Sequence, residues 1–284
     1  MSRIAVVGGA SALARRLIPV LRVGHDVVTL GRSGCDVLCD LLDSVDCIAI
    51  PEPVDTVVHL AAAFDASTPQ NMVRMVETNA VGTLKVCIAA EKAGARHLVL
   101  VSSVYAALTT GSLHHNLYSI TKRQSEELAA ESCRRSALLL TVLRAAPLYG
   151  VEEAFRHHQP FLYDVADRAE EGRDIHLFGK RDALRNYLHA NDMARVIQGV
   201  VERAPGGVYC CTFPRDFALS EIAAAAQEAF GRGGNIVFLE DEPDVPDNIF
   251  GNSTDLYDII GFRPGVDIRE GMRHLARYRK EANP

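Results

Sequence analysis

Short apolar runs alternate with helical patterns from the N-terminus as far as Gly150, and this alternation limits the chain to few folds. Ile4 to Val7, Val27 to Leu30, Thr56 to Leu60, Leu98 to Ser102 and Leu139 to Arg144 are β-branched-rich runs of strand length. Between them Leu13, Leu17, Val20 and Leu21 recur at helical spacing, and Asn71 to Ala93 and Tyr118 to Ser136 read as long helices. Repeated strand, helix, strand units return each strand parallel to the last, so the pattern predicts an α/β fold, a Rossmann-type doubly wound parallel sheet. With 284 residues, 48% of them hydrophobic and 23% charged, the chain can bury such a core. Pro19 falls in the last turn of the first helical pattern and is expected to distort it.

After Gly150 the alternation loosens. A helix over Phe161 to Glu171, a strand over Ile175 to Phe178 and a helix over Asp192 to Glu202 are followed by a strand over Gly206 to Cys211. Ser220 to Phe230 reads as a helix capped by Ser220 with Glu221 in its first turn, and Glu240 to Asp247 as an acidic, Pro-containing loop. The expected organisation is a dinucleotide-binding domain over 1–150, to which 184–204 returns. A smaller C-terminal α/β substrate-binding lobe takes 151–183 and 205–284.

Composition removes several classes of function. A net charge of −6 without a basic stripe argues against a nucleic-acid partner. No apolar run reaches spanning length, and Met1-Ser2-Arg3 passes into the first strand without a signal-peptide pattern, so no membrane and a cytoplasmic location are expected. The seven cysteines show no CxxC pair and no disulfide spacing and are read as reduced thiols. His114-His115 and His157-His158 lack the spacing of metal sites, so no metal is expected.

The first strand runs into Gly8-Gly9-Ala10-Ser11-Ala12-Leu13-Ala14, a turn that can bring backbone N–H groups and a helix N-terminus to a pyrophosphate. A full G-x-x-G-x-x-G pattern has glycine where Ser11 and Ala14 stand; Ser11 can donate to phosphate, but its Cβ penalises a positive φ. Taken alone, the turn fits a ligand-free connection equally well. The second strand ends in Gly31-Arg32-Ser33 and lacks the acid that grips an adenosine 2′-hydroxyl. Gly31 leaves room and Arg32 can bond a 2′-phosphate, which favours NADP(H) over NAD(H); a solvated Arg32 is the plain alternative.

Tyr118 and Lys122 stand four apart and share one helical face, behind a strand that ends in Ser102-Ser103. A free phenol has a pKa of about 10, so activity near neutrality needs about 3 units, or roughly 4 kcal/mol, from a neighbouring cation and a positive cofactor ring. The spacing alone also suits an ordinary helix pair.

These pieces together resemble the extended short-chain dehydrogenase/reductase family, the epimerase, dehydratase and reductase group that mostly acts on nucleotide sugars. The resemblance covers nearly the whole chain. It rests on the glycine turn at Gly8, Asp40-Leu41, His59-Leu60-Ala61-Ala62, Asn79-Ala80-Val81-Gly82-Thr83, Ser102-Ser103, Tyr118-x-x-x-Lys122, Leu143-Arg144-x-x-x-x-Tyr149-Gly150 and Arg185 to Asp192. It implies Tyr118 as acid/base, Lys122 on the nicotinamide ribose and lowering the Tyr118 pKa, Ser103 on the reacting oxygen, and Asn79 supporting Lys122. Cofactor contacts are implied at Gly8, Ser11, Ala12, Leu13, Arg32, Ser33, Asp40, Leu41, Leu60, Ala61, Ala62, Tyr118, Lys122 and Pro147. Substrate contacts are implied at Ser103, Tyr118 and Arg185. His189 fits a packed or a functional residue. The helices Asn71 to Ala93 and Tyr118 to Ser136 are those that pair in the family's homodimers.

Departures from the family pattern bear on the substrate. No Asp-Glu pair follows Ser103, which argues against dehydration, and Pro147 replaces the asparagine expected before Tyr149-Gly150. Glu242 stands where a second diphosphate-binding arginine is expected. The leading expectation is NADPH-dependent reduction of a keto group on a nucleotide-linked 4-keto-6-deoxy sugar. The alternatives are an epimerase with tightly held NAD and a non-catalytic dinucleotide-binding sensor protein.

Overall fold

The computed structural model describes residues 1–251 and 254–282. In chain order its elements are β1 (Arg3–Val7), α1 (Ala12–Arg22), β2 (Asp26–Gly31), β3 (Val37–Leu38), β4 (Thr56–His59), α2 (Pro69–Val76), α3 (Gly82–Lys92), β5 (His97–Ser103), α4 (Leu117–Ser136) and β6 (Leu139–Ala145). There follow β7 (Leu148–Tyr149), α5 (Pro160–Glu171), β8 (Ile175–Phe178), β9 (Leu184–Arg185), β10 (Leu188–His189), α6 (Ala190–Arg203), β11 (Gly207–Cys211), β12 (Phe217–Ala218), α7 (Leu219–Phe230), β13 (Ile236–Leu239), α8 (Asp255–Ile260) and α9 (Ile268–Ala282).

The chain divides into two compact units. The first takes Met1–Ala145, Ala194–Cys211 and the segment carrying α8. Its sheet has seven strands in the order β11-β6-β5-β4-β1-β2-β3, every neighbouring pair parallel. Helices on both faces explain why the central strands are apolar throughout: Ile4, Ala5, Val6, Val57, Val58, Leu98 and Val99 are completely buried. Strand order runs one way from β1 through β2 and the other way through β4. The crevice at that switch, beyond the carboxyl ends of β1 and β4, is where such sheets hold ligands. Leu60 N donates to Val7 O at 2.8 Å and ties the two strand ends together.

The second unit holds three small two-stranded sheets, β7 with β10, β9 with β12 and β8 with β13. Asn186 is fully buried in it and donates to Phe213 O, Arg215 O and the Asp216 carboxylate while accepting from Phe213 N. The stretch expected as one helix from Asn71 to Ala93 is α2 and α3 joined by a π-helical turn, Glu77–Val81. Ser220 does not cap α7. The cap position is Ala218, and Asp182, remote in sequence, accepts from both Ser220 N and Ser220 Oγ. The strand expected in the smaller lobe, β11, pairs instead with β6 at the edge of the large sheet, while residues 184–193 lie in the second unit. Pro19 is accommodated, and α1 runs on to Arg22. Among the described residues no helix is long and apolar enough to cross a membrane.

Candidate active site

The turn after β1 explains how the chain tolerates Ser11 and Ala14. Only Gly8 adopts a positive φ, +89°, and a Cβ there would stand 2.7 Å from Ala61 N. Gly8 N and Gly9 N both donate to Leu30 O, at 2.8 and 3.0 Å, and Ser11 N closes the turn on Gly8 O. Ser11 itself has φ −67° and accepts from Ala14 N as the N-cap of α1, so its Cβ carries no backbone penalty. Ala14 is a buried helix residue. The glycine requirement is concentrated at Gly8, and at Gly9, where a Cβ would meet Thr29 Cβ at 2.8 Å.

This turn opens onto a cavity of about 350 Å³. Of the residues expected at the cofactor, Gly8, Ser11, Arg32, Ser33, Asp40, Leu41, Leu60, Ala61 and Ala62 line it. Ala12 opens α1 and Leu13 packs in the core, neither on the lining, and Pro147 belongs to the second unit. Gly31, expected to leave room beside Arg32, is on the lining too, and so are Val7, Ala10, Cys39, Ala63, Phe64, Arg74 and Thr78, which were not expected as contacts. Arg74 and Thr78 stand four apart at the end of a helix, a spacing that could have flagged them. The cradle at Gly8, which a Cβ would fill, and the small residues Ala10 and Ala61 to Ala63 fit a dinucleotide's pyrophosphate approach.

The charge of the cavity is uneven. Asp36 is turned away from it: its carboxylate accepts from Thr29 N and Thr29 Oγ1 at 2.9 and 2.8 Å, bonds that hold its pKa below the usual carboxylate range. Asp40 is therefore the acid on the lining, and Arg32 and Arg74 form no ion pair among the described residues.

Beyond the end of β4, Asn79 in the π-helical turn is buried and fixes the backbone of Ala63. Its Oδ1 accepts from Ala63 N at 2.7 Å, and its Nδ2 donates to Ala63 O at 2.9 Å and to Thr121 Oγ1 at 3.1 Å. It acts on Thr121 and the cavity wall and makes no hydrogen bond to Lys122. Thr83 Oγ1 donates to Asn79 O at 2.6 Å, so His59 Nε2, 3.1 Å from that hydroxyl, is its donor, and the His59 ring is neutral. Burial, with Lys122 nearby, pushes the His59 pKa down to about 3.

Tyr118 enters α4 in its first turn, set by a capping box in which Ser119 N donates to Asn116 Oδ1 and Asn116 N donates to Ser119 Oγ. Its ring stacks on Phe64 with centroids 4.9 Å apart, and its phenol lies within reach of Ser103 at the end of β5. Burial raises the Tyr118 pKa, and Ser103 opposes that rise. Lys122 does not act on the phenol here. Its ammonium reaches under the strand and donates to Val101 O at 2.8 Å. Burial lowers the Lys122 pKa to about 8, while Glu126 one turn on holds it up. Glu126 accepts from Ser102 Oγ at 2.5 Å and from Nε and Nη2 of Arg144, a buried network beneath the site.

In the second unit, Arg185 spends its guanidinium on Leu184 O and Pro246 O, and Asp244 in the acidic loop accepts from Lys180 N and Arg181 N. His189 is a packed residue: it is buried, accepts from Asn191 N and lies edge-on to Tyr149 and His274. All seven cysteines are free thiols, and among the described residues no three His, Cys, Asp or Glu side chains gather as a metal site.

Known proteins resemble this chain in sequence and in fold. The chain is 30% identical over 232 residues to dTDP-glucose 4,6-dehydratase of Streptomyces griseus, covering 77% of this chain and 69% of that protein. It is 24% identical over 233 residues to UDP-glucuronic acid decarboxylase 2 of Arabidopsis thaliana, but it spans 52% of that relative's length against 77% of its own. Among solved structures, the UDP-glucose 4-epimerase of Thermus thermophilus in complex with NAD superposes with a TM-score of 0.75 at 20% identity, covering 99% of both chains. The model of the NAD dependent epimerase/dehydratase family matches residues 4–211, from β1 through β11, which includes the glycine turn, the cavity and the Ser103, Tyr118 and Lys122 group. With that match over most of its length, the chain belongs to the NAD dependent epimerase/dehydratase family.

Proposed function

We propose that the protein is an NAD(P)-dependent enzyme acting on a nucleotide-linked sugar, and that its net reaction is epimerisation at one sugar carbon. The observation that carries this reading is the Tyr118 phenol within reach of Ser103, its ring stacked on Phe64 in the wall of a glycine-cradled cavity of dinucleotide character. When bound, the dinucleotide supplies the hydride acceptor and donor. Tyr118 acts as base in its phenolate form, which the positive ring of a bound oxidised dinucleotide would favour; it takes the proton of the sugar hydroxyl and returns it when the carbon is reduced again. Ser103 orients that oxygen, Lys122 serves the nicotinamide ribose, and Asn79 fixes the wall at Ala63 and the helix at Thr121. Residues 104–116 contain no Asp or Glu, so the segment after Ser103 offers no carboxyl group to eliminate water. The solved relative is an epimerase, which supports the reaction, and its bound NAD supports the cofactor class.

A second reading, NADPH-dependent reduction of a keto sugar, is favoured by one observation: Arg32 lines the cavity and forms no ion pair among the described residues. Identifying the dinucleotide released from denatured protein separates the two. Stoichiometric NAD supports the epimerase, because its cofactor never leaves; an empty site that prefers NADPH supports the reductase, which must exchange cofactor every cycle.

The same reading includes a homodimer paired through α2, α3 and α4, supported by the exposed Met72, Val73, Val81 and Ile120 on that stretch. A monomeric mass at micromolar concentration would remove it. The free thiols support a reducing compartment, the cytoplasm.

A further inference from the structure

Phe64 occupies two environments at once. It lines the cofactor cavity, and its ring stacks on Tyr118 at 4.9 Å between centroids with 27° between planes. Yet 45% of the residue is exposed, so it forgoes much of what a buried ring gains from leaving water, and core packing does not account for it. Few other groups hold the phenol. Ser103 on β5 favours its ionisation, Tyr105 in the following turn disfavours it, and Lys122 on its own helix is engaged with Val101 O. Asp65, next to Phe64, faces away and accepts from Ser67 N and Asn71 Nδ2.

We propose that Phe64 is a positioning residue for Tyr118, an inference that rests on the reading of Tyr118 as the acid/base. Its ring fixes the plane of the phenol and keeps water from that face. Because the same ring walls the cofactor cavity, a dinucleotide seated there braces Phe64 and, through it, Tyr118. Stacked aromatic pairs have a strength that corresponds to about 2- to 10-fold in a rate or equilibrium.

The test compares wild type with Phe64→Ala, Phe64→Leu and Phe64→Tyr, each saturated with its dinucleotide and checked by thermal melting. Tetranitromethane nitration mapped by mass spectrometry reads the cover over Tyr118 without any substrate. Phe64→Ala should raise Tyr118 nitration several-fold while exposed Tyr278 stays constant, Phe64→Leu should fall between, and Phe64→Tyr should match wild type. With a sugar that is turned over, Phe64→Ala should lower kcat by about 2- to 10-fold with KM little changed, and the Tyr118 limb of the pH profile should move to lower pH as the phenol gains water. Unchanged Tyr118 nitration in Phe64→Ala, or a loss confined to cofactor affinity, would overturn the proposal. If no nucleotide sugar is turned over, the functional reading fails while nitration still decides the role of Phe64.

Discussion

Gly8→Ala adds one methyl group at the point where the turn, the sheet and the cavity meet. At φ +89° an L-residue sits outside its allowed regions, which costs about 1–2 kcal/mol. The new Cβ would also stand 2.7 Å from Ala61 N, 3.0 Å from Ala61 Cα and 3.1 Å from Leu60 C, all backbone atoms that cannot swing aside. Relieving such overpacking costs about 1–3 kcal/mol more, so the total is about 2–5 kcal/mol. For a chain of this size that corresponds to a drop in Tm of roughly 5–15 °C. Cofactor binding should suffer as well, because the displaced backbone of Leu60 and Ala61 is itself cavity wall. The matched control is Gly24→Ala, an exposed position with nothing within 4 Å of the added carbon. Melting curves and calorimetric titration with NADH and NADPH should show Gly8→Ala less stable and weaker for both dinucleotides by at least tenfold, with Gly24→Ala like wild type. A Gly8→Ala protein that melts and binds like wild type would refute the cradle.

Two further outcomes follow from buried groups. Burial holds the His59 pKa at about 3 and the His97 pKa at about 4, against about 6.5 for an unfolded histidine. The unfolded chain thus binds more protons between about pH 6.5 and those values, and stability falls as pH drops through that window, by on the order of 3–4 kcal/mol from pH 7 to pH 5. A Tm that stays flat over that range would count against both assignments. Glu126→Gln removes the charge that Arg144 and Ser102 share and should destabilise the first unit by about 1.5–3 kcal/mol in chemical unfolding, with an unchanged midpoint arguing against the network.

The parts of this structure that were legible in the sequence have a local period. The β1, β4, β5 and β6 runs are apolar because helices cover both faces of the sheet, and Tyr118 and Lys122 share a helix face by geometry alone. Contacts decided by remote partners were not legible. The π-helical turn at Glu77–Val81 places Asn79 on Ala63, sixteen residues away, and Asp182 caps α7 from thirty-eight residues before Ser220. Lys122 was expected beside the phenol, yet the carbonyl of Val101 captures its ammonium, because a long side chain on a shared face can still turn toward the strand beneath. The eroded glycine pattern misled for a related reason. The spacing does not reveal which glycine takes the positive φ, and here that residue is Gly8, so Ser11 and Ala14 carry no strain.

The most direct test of the central claim is a rapid-mixing experiment on Tyr118→Phe and wild type, each loaded with the dinucleotide that copurifies or binds best. UDP-glucose and dTDP-glucose are added, and nicotinamide reduction is followed by absorbance. The account predicts reduced nicotinamide in wild type with at least one of the two sugars, and none on that timescale in Tyr118→Phe despite an unchanged dinucleotide Kd. Reduction at the wild-type rate in Tyr118→Phe would contradict it.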